Sequence, residues 1–211
     1  MKIVGILGFK GAGKDTAAQA LIDDGYVKYA FADAVKDVLS AMFDWPRHML
    51  IGDTHESREW REQVDPWWSK ELNLPNFTPR FAMTLIGTDI IRARFSDNIW
   101  ISNVERRILN SGHDKVVITD CRYTNETALV QRFGGKLLRI KKGPEPEFFD
   151  TAVRVGSNDE IVRQHAQSIM ESKYAHIHSS EWAWNHIAVD AVIENDKTIA
   201  DLQAATREAV K

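Results

Sequence analysis

The chain has 211 residues, 27 Lys plus Arg against 30 Asp plus Glu, one cysteine and 44% hydrophobic residues. That apolar fraction with a net charge of -3 excludes intrinsic disorder, and a single cysteine excludes an internal disulfide or a multi-cysteine zinc site. No apolar run approaches the ~18 residues of a membrane span, and the near-neutral charge speaks against a broad nucleic-acid surface while allowing a local anion pocket. The expectation is therefore a soluble cytoplasmic protein with neither a membrane nor a nucleic-acid partner.

Lys2 to Leu7 is a short Ile- and Val-rich run ending in a glycine-rich turn, the pattern of a strand buried on both faces. Lys14 to Ile22 reads as a helix, Tyr26 to Ala32 as a second strand, and Asp33 to Phe43 as a second helix with Val35, Val38, Leu39 and Met42 at helical spacing. Residues 45–79 carry four of the six prolines, many charges and four tryptophans, which marks an irregular or short-helical insertion. Helical periodicity resumes over Phe81 to Phe95 and Ile99 to Leu109, and Lys115 to Asp120 is a strand that ends in an acid. A helix from Asn125 to Arg132, a strand from Lys136 to Lys141, a helical stretch near Asp159 to Ser172, a strand from Ala188 to Glu194 and a helix from Thr198 to Val210 complete the chain. Strands alternate with helices, so the expected fold is α/β, with a three-layer parallel sheet covered on both faces in a single domain over residues 1–211.

Gly8-Phe9-Lys10-Gly11-Ala12-Gly13-Lys14-Asp15-Thr16 satisfies GxxxxGK between a strand and a helix. Glycines let backbone N–H groups curl around a phosphate, the helix N-terminus adds donors and a favourable dipole, and Lys14 adds a point charge for the outer phosphates. The position after the lysine is Asp15 rather than the usual Ser or Thr, with Thr16 next, and which of the two serves a Mg²⁺ ion stays open. No guanine-reading NKxD is present, and Val116 to Asp120 followed by Cys121-Arg122 only half matches a motor ATPase strand. A small-molecule kinase needs a second anion site, for which Arg80, Arg92, Arg94 and Arg122 are available. Ligands of open α/β sheets bind at the carboxyl ends of strands, so Asp120 and Arg122 should face the same crevice as Lys14. Arg94, Arg106 and Arg107 read instead as a solvated helix face, and the tryptophans as packing residues.

GFKGAGKDT, FADAVK, TPR, LIGTDIIR, TDCRYTNE, HSSE and VIEND, taken in order, resemble the deoxynucleoside monophosphate kinases of tailed phages and related bacterial sequences, in the adenylate-kinase-like branch of phosphate-loop kinases. The resemblance implies ATP phosphates on Gly8, Gly11, Ala12, Gly13, Lys14, Asp15 and Thr16, with Asn195 bordering the adenine. It implies Mg²⁺ served by Thr16, Asp15 or Asp120, and a catalytic set of Lys14, Asp120, Arg122 and Arg92. Lys36, Arg80, Arg92 and Arg122 would bind a deoxynucleoside monophosphate, residues 45–79 would form an acceptor-binding lobe and residues 143–175 a lid-like segment. Glu181 would orient a lid cation chosen among Lys141, Lys142, Arg154 and Arg163. The alternatives are another kinase on this fold, for dephospho-coenzyme A or for a nucleoside with Asp33 as base, or a non-catalytic nucleotide-binding module. Homodimer formation is open, and the compartment would be the host-cell cytoplasm if the gene is carried by a phage.

Overall fold

The computed structural model describes residues 1–211 and divides the chain into two compact units. The first comprises Met1–Tyr29 with Ser111–Lys211 and the second Ala30–Asn110. No helix is long and apolar enough to cross a membrane.

The first unit is built on a five-stranded parallel sheet: β1 Lys2–Leu7, β2 Val27–Tyr29, β3 Lys115–Ile118, β4 Lys136–Lys141 and β5 Ala191–Glu194, in the spatial order β2-β3-β1-β4-β5. Its helices are α1 Lys14–Asp23, α7 Thr124–Arg132, α8 Phe149–Arg154, α9 Glu160–Ser172 and α10 Ile199–Ala209. β1 is central because it is apolar on both faces. Val4 and Ile6 pack with Ala17, Ala18 and Leu21 of α1 and Leu202 of α10. On the opposite face Gly5 lets Leu137, Val130 and Cys121 close in. In register, Gly5 of β1 sits beside Ile118 of β3, so the loops that follow these two strands leave the sheet at the same edge. The α/β architecture with a parallel sheet is thus as expected from the alternation of elements.

The strand limits are narrower than periodicity suggested. β2 ends at Tyr29 because the chain turns at once into a helix beginning at Ala32, and β3 ends at Ile118 rather than Asp120, freeing the acid for the loop. β5 begins at Ala191, and just before it the Asp190 carboxylate accepts the Leu137 N–H at 2.7 Å. α8 lies in residues 143–175, where only one helix was expected. It packs Ala152 against Met170 of α9, Tyr174 and Trp182 in a small core of its own.

The second unit contains α2 Ala32–Phe43, α3 His55–Glu62, α4 Pro66–Glu71, α5 Pro79–Thr84, a π-helical segment Leu85–Phe95 and α6 Ile99–Ser111. Residues 45–79 are therefore part of a larger compact body. Side-chain oxygens of Thr54, Asp65 and Thr78 cap α3, α4 and α5. The core is aromatic: Phe43 stacks on Trp45 at 4.5 Å and meets Trp68 and Phe77 at 5.0 and 5.3 Å. Two of the indoles find polar partners, Trp45 donating to Asp65 at 2.7 Å and Trp68 to the Phe43 carbonyl at 3.0 Å. Trp67 stays outside, 66% exposed. Phe81 to Phe95 is not one α-helix, because α5 widens into the π-helical segment at Leu85. Apolar spacing over three turns does not distinguish the two ladders. The tertiary contacts there are close: a Cβ on Gly87 would lie 2.9 Å from Val35 Cγ1, and the Trp100 indole donates to the Gly87 carbonyl at 2.8 Å.

Gly5→Ala tests the central packing. Its new methyl would lie 2.8 Å from Leu137 Cδ2 and 3.0 Å from Val130 Cγ2, and overpacking of this kind costs about 1–3 kcal/mol. A lower urea midpoint with unchanged slope is the expected result.

Candidate active site

Connections from β1 run to one side of the sheet, through α1 to β2, whereas those from β3 run to the other, through α7 to β4. The carboxyl ends of β1 and β3 therefore form a switch point, where open α/β sheets place ligands. Two loops meet there, Gly8–Gly13 after β1 and Thr119–Tyr123 after β3.

The glycine loop is held from several directions. Gly8, Gly11 and Gly13 all have positive φ, at 143°, 81° and 101°, and Gly8 passes so near the β4 backbone that a Cβ would meet the Ile140 carbonyl at 2.5 Å. The Asn195 amide donates to the Ala12 carbonyl at 2.8 Å, and it fills the space a Cβ on Gly13 would need. Phe9 at the tip packs against Trp184 at 4.7 Å and Phe148 at 5.9 Å. Unlike α3, α4, α5, α9 and α10, helix α1 has no side-chain cap. The space beside Gly11 is open. These features fit phosphate oxygens.

Lys14 folds back across the loop and donates to the carbonyls of Gly8 and Phe9 at 2.8 and 2.9 Å. Burial, then the positive charge of Arg122, lowers its pKa to about 8, against the opposing pull of Glu181, Asp15 and Asp120. Lys14 is thus electrostatically coupled to Asp15, Asp120 and Arg122.

Arg122 is fixed at both ends. Its backbone N–H and that of Tyr123 donate to the buried Glu126 carboxylate at 2.6 and 3.1 Å. Its guanidinium donates through Nη1 to Glu181 Oε1 at 2.7 Å and to the Ser180 carbonyl at 3.0 Å. Glu181 is therefore the partner of Arg122, not of a lid cation. Lys141 pairs with Glu194 at 2.9 Å and Arg163 donates to the Ser157 carbonyl. Cys121, between the two polar residues, is buried, and burial pushes its thiol well up. Asp15, beside Lys14 in the sequence, is solvent-facing and pairs with Lys28 at 2.7 Å. Thr16 is half-buried in the first turn of α1. No group of three or more His, Cys, Asp or Glu side chains converges on one point.

The remaining anticipated residues belong to the second unit. Lys36 is buried and pairs with Asp33 at 3.1 Å. Arg47 also reaches Asp33, at 3.4 Å, and bonds Asp37 at 2.6 Å. Burial pushes the Asp37 carboxyl up, but hydrogen bonds from Arg107 and Arg47 hold it below its ordinary value. Arg107 is thus a partner of Asp37, 2.8 Å away, and not only part of a solvated face. Arg92 is buried and bonds Asp97 at 2.6 Å, while Arg80 lies at the start of α5 with Glu62 at 3.3 Å. Sequence reasoning missed Glu126, Phe9 and Trp184. Glu126 falls three residues after the helix-initiating Tyr123, the spacing of a capping acid, but tyrosine in place of Ser or Thr hid the pattern.

Switch-point position, glycine loop, uncapped helix and lysine together make this end of the sheet the candidate active site. No family model matches the chain. A protein of Acanthamoeba polyphaga mimivirus named "Putative deoxynucleotide monophosphate kinase" is 30% identical over 158 residues, covering 67% of this chain and 75% of its own. The chain belongs to the same family of phosphate-loop kinases as that viral protein, and it is a small-molecule phosphotransferase. Among solved structures, TT1252 from Thermus thermophilus aligns over 98% of this chain and 95% of its own at 16% identity, with TM-score 0.44. Dephospho-CoA kinase from Campylobacter jejuni aligns over 99% and 95% at 14% identity, with TM-score 0.45.

Because the Lys14 pKa is lower in the folded than in the unfolded chain, the native state binds fewer protons between about pH 8 and the ordinary lysine value near 10.5. Stability carried by this group therefore rises with pH across that window. The unfolding free energy of the parent relative to Lys14→Met, measured by urea titration, should increase from pH 8 to pH 10 and be flat below pH 7.

Proposed function

We propose that the protein transfers the γ-phosphoryl group of ATP to the 5′-phosphate of a deoxynucleoside monophosphate, giving ADP and a deoxynucleoside diphosphate. The observation that carries this reading is the glycine loop at the switch point, with Lys14 folded across it and Arg122 on the loop that follows the neighbouring strand β3, two cations where a transferring phosphoryl group would neutralise both. An oxygen of the acceptor phosphate forms the new bond to the γ-phosphorus as the bond to the β,γ-bridging oxygen breaks, and ADP leaves. The attacking oxygen is already anionic near neutral pH, so no general base is needed and the protein's task is positioning and charge neutralisation.

In this reading, the N–H groups of Gly8 to Thr16 hold the ATP phosphates and Lys14 leaves the Gly8 and Phe9 carbonyls to meet the outer ones. Asn195 keeps the loop in shape through Ala12. Arg122, aimed by Glu126 and Glu181, meets the transferred group or the acceptor phosphate. When bound, Mg²⁺ supplies charge neutralisation to the polyphosphate, with Thr16, Asp15 and Asp120 as the nearby oxygen donors. Arg80, Arg92 and Lys36 are assigned to the acceptor, residues 45–79 to an acceptor-binding lobe, and residues 143–175 to a lid-like segment that excludes water. The nucleoside-kinase alternative is less well supported, because Asp33, its only carboxylate base, is already engaged by Lys36 and Arg47.

A coupled assay of ADP formation against each deoxynucleoside monophosphate tests the reading. Acceptor-dependent turnover is expected, and turnover only with nucleosides or dephospho-coenzyme A would replace it. Lys14→Met should lower kcat by ~10²–10³-fold, the scale of one lost charge-stabilising donor. Arg122→Ala should reduce kcat/KM for the acceptor by about 2–4 kcal/mol in transition-state terms, with circular dichroism unchanged in both.

A further inference from the structure

Phe9, at the tip of the glycine loop, is an aromatic side chain in a turn whose backbone alone would serve a phosphate. Its half-buried ring meets Trp184 at 4.7 Å, Phe148 at 5.9 Å and Phe149 at 6.4 Å, each edge to face. Behind two of these rings stands Arg139 of β4. Its guanidinium carbon lies 4.6 Å from the Phe149 ring centre and 5.3 Å from that of Trp184. The Arg139 side chain is 13% exposed, and its Nη2 donates to both Glu145 oxygens at 2.7 Å. Strand register adds a second tie: Arg139 sits beside Leu7, two residues before Phe9, and the carbonyl of the next residue, Ile140, occupies the place a Gly8 Cβ would need.

This packing leaves two N–H groups unanswered. Arg139 Nε and Trp184 Nε1 are both sealed from solvent without a hydrogen-bond partner, and each such group costs free energy. What the arrangement holds in place is the Phe9 ring. The Phe9 carbonyl accepts from the Lys14 ammonium at 2.9 Å and from the Ala12 N–H at 3.1 Å, so a fixed ring also fixes the turn of the loop and the resting place of the lysine. On its far side the socket continues from Phe148 to Tyr174, 6.0 Å away, in the small core of α8 and α9. We propose that Phe9 and Arg139 are positioning residues of the glycine loop: Arg139, clamped by Glu145, braces Phe149 and Trp184, these seat Phe9, and Phe9 holds the loop and Lys14 in the shape that receives the outer phosphates of ATP. The role toward ATP rests on the function proposed above, whereas the brace itself does not.

Arg139→Met keeps the stem of the side chain and removes the guanidinium, and Phe9→Leu keeps an apolar group and removes the ring. The Ala12 amide, bonded to the Phe9 carbonyl, reads the loop directly. In nucleotide-free protein its hydrogen exchange, followed by NMR, should quicken ~10-fold or more in both variants, the scale of a desolvated cation–π or ring contact, while β1 and β3 exchange as in the parent. KM for ATP should rise by a similar factor with KM for the deoxynucleoside monophosphate unchanged, and Phe9→Tyr, which keeps the ring, should match the parent in both measurements. Side chains that only pack the α8–α9 core would give the reverse, a lower melting temperature with Ala12 exchange and KM for ATP unchanged, and that result overturns the proposal. Quickened exchange with an unchanged KM for ATP overturns it as well. If Arg139→Met does not fold, the Phe9 variants decide by the same measurements. Should the parent phosphorylate no deoxynucleoside monophosphate, the functional reading fails while Ala12 exchange still judges the brace.

Discussion

The organisation of the first unit depends on keeping one cation partly out of water next to another. Lys14 and Arg122 repel, and burial disfavours the lysine further, so each needs a fixed anchor. For Lys14 the anchors are two loop carbonyls, and for Arg122 the buried Glu126 below and Glu181 above. The glycine loop accommodates the lysine: its carbonyls turn toward Lys14 while Gly8, Gly11 and Gly13 adopt the positive φ values that the tight path needs. An apolar two-faced β1 and the register of β1 with β3 then place the two loops at one sheet edge.

The second unit answers the same problem differently. Several of its cations are neutralised locally, Lys36 and Arg47 by Asp33 and Asp37, Arg92 by Asp97. Its aromatic core, gathered around Phe43, gives the short helices α3 and α4 a rigid base that helices of eight and six residues would not have alone. Against that background Arg61 stands apart because it is buried with no carboxylate partner.

Much of the fold was legible in the sequence. The limits of β1 and β4 follow from apolar runs closed by glycine, and α1 follows the phosphate loop by its residue pattern. α8 escaped because FDTAVR offers a single helical turn and a half whose burial depends on Met170 and Trp182, far along the chain. The π-helical segment escaped because its apolar positions fit either ladder. Arg61 sits in a run of charges, His55 to Glu62, that reads as a solvated face, and only the return of Gly52 against it makes it buried.

By itself the sequence determined the α/β class and the glycine-rich loop between β1 and α1, and it singled out Lys14, Asp120 and Arg122 as candidates, since these depend on local spacing and on the chemistry of single residues. Tertiary structure alone decided which acid answers which base: Glu181 for Arg122, Asp37 for Arg107, none for Arg61. Ion pairing depends on distance and burial, and neither follows from position along the chain.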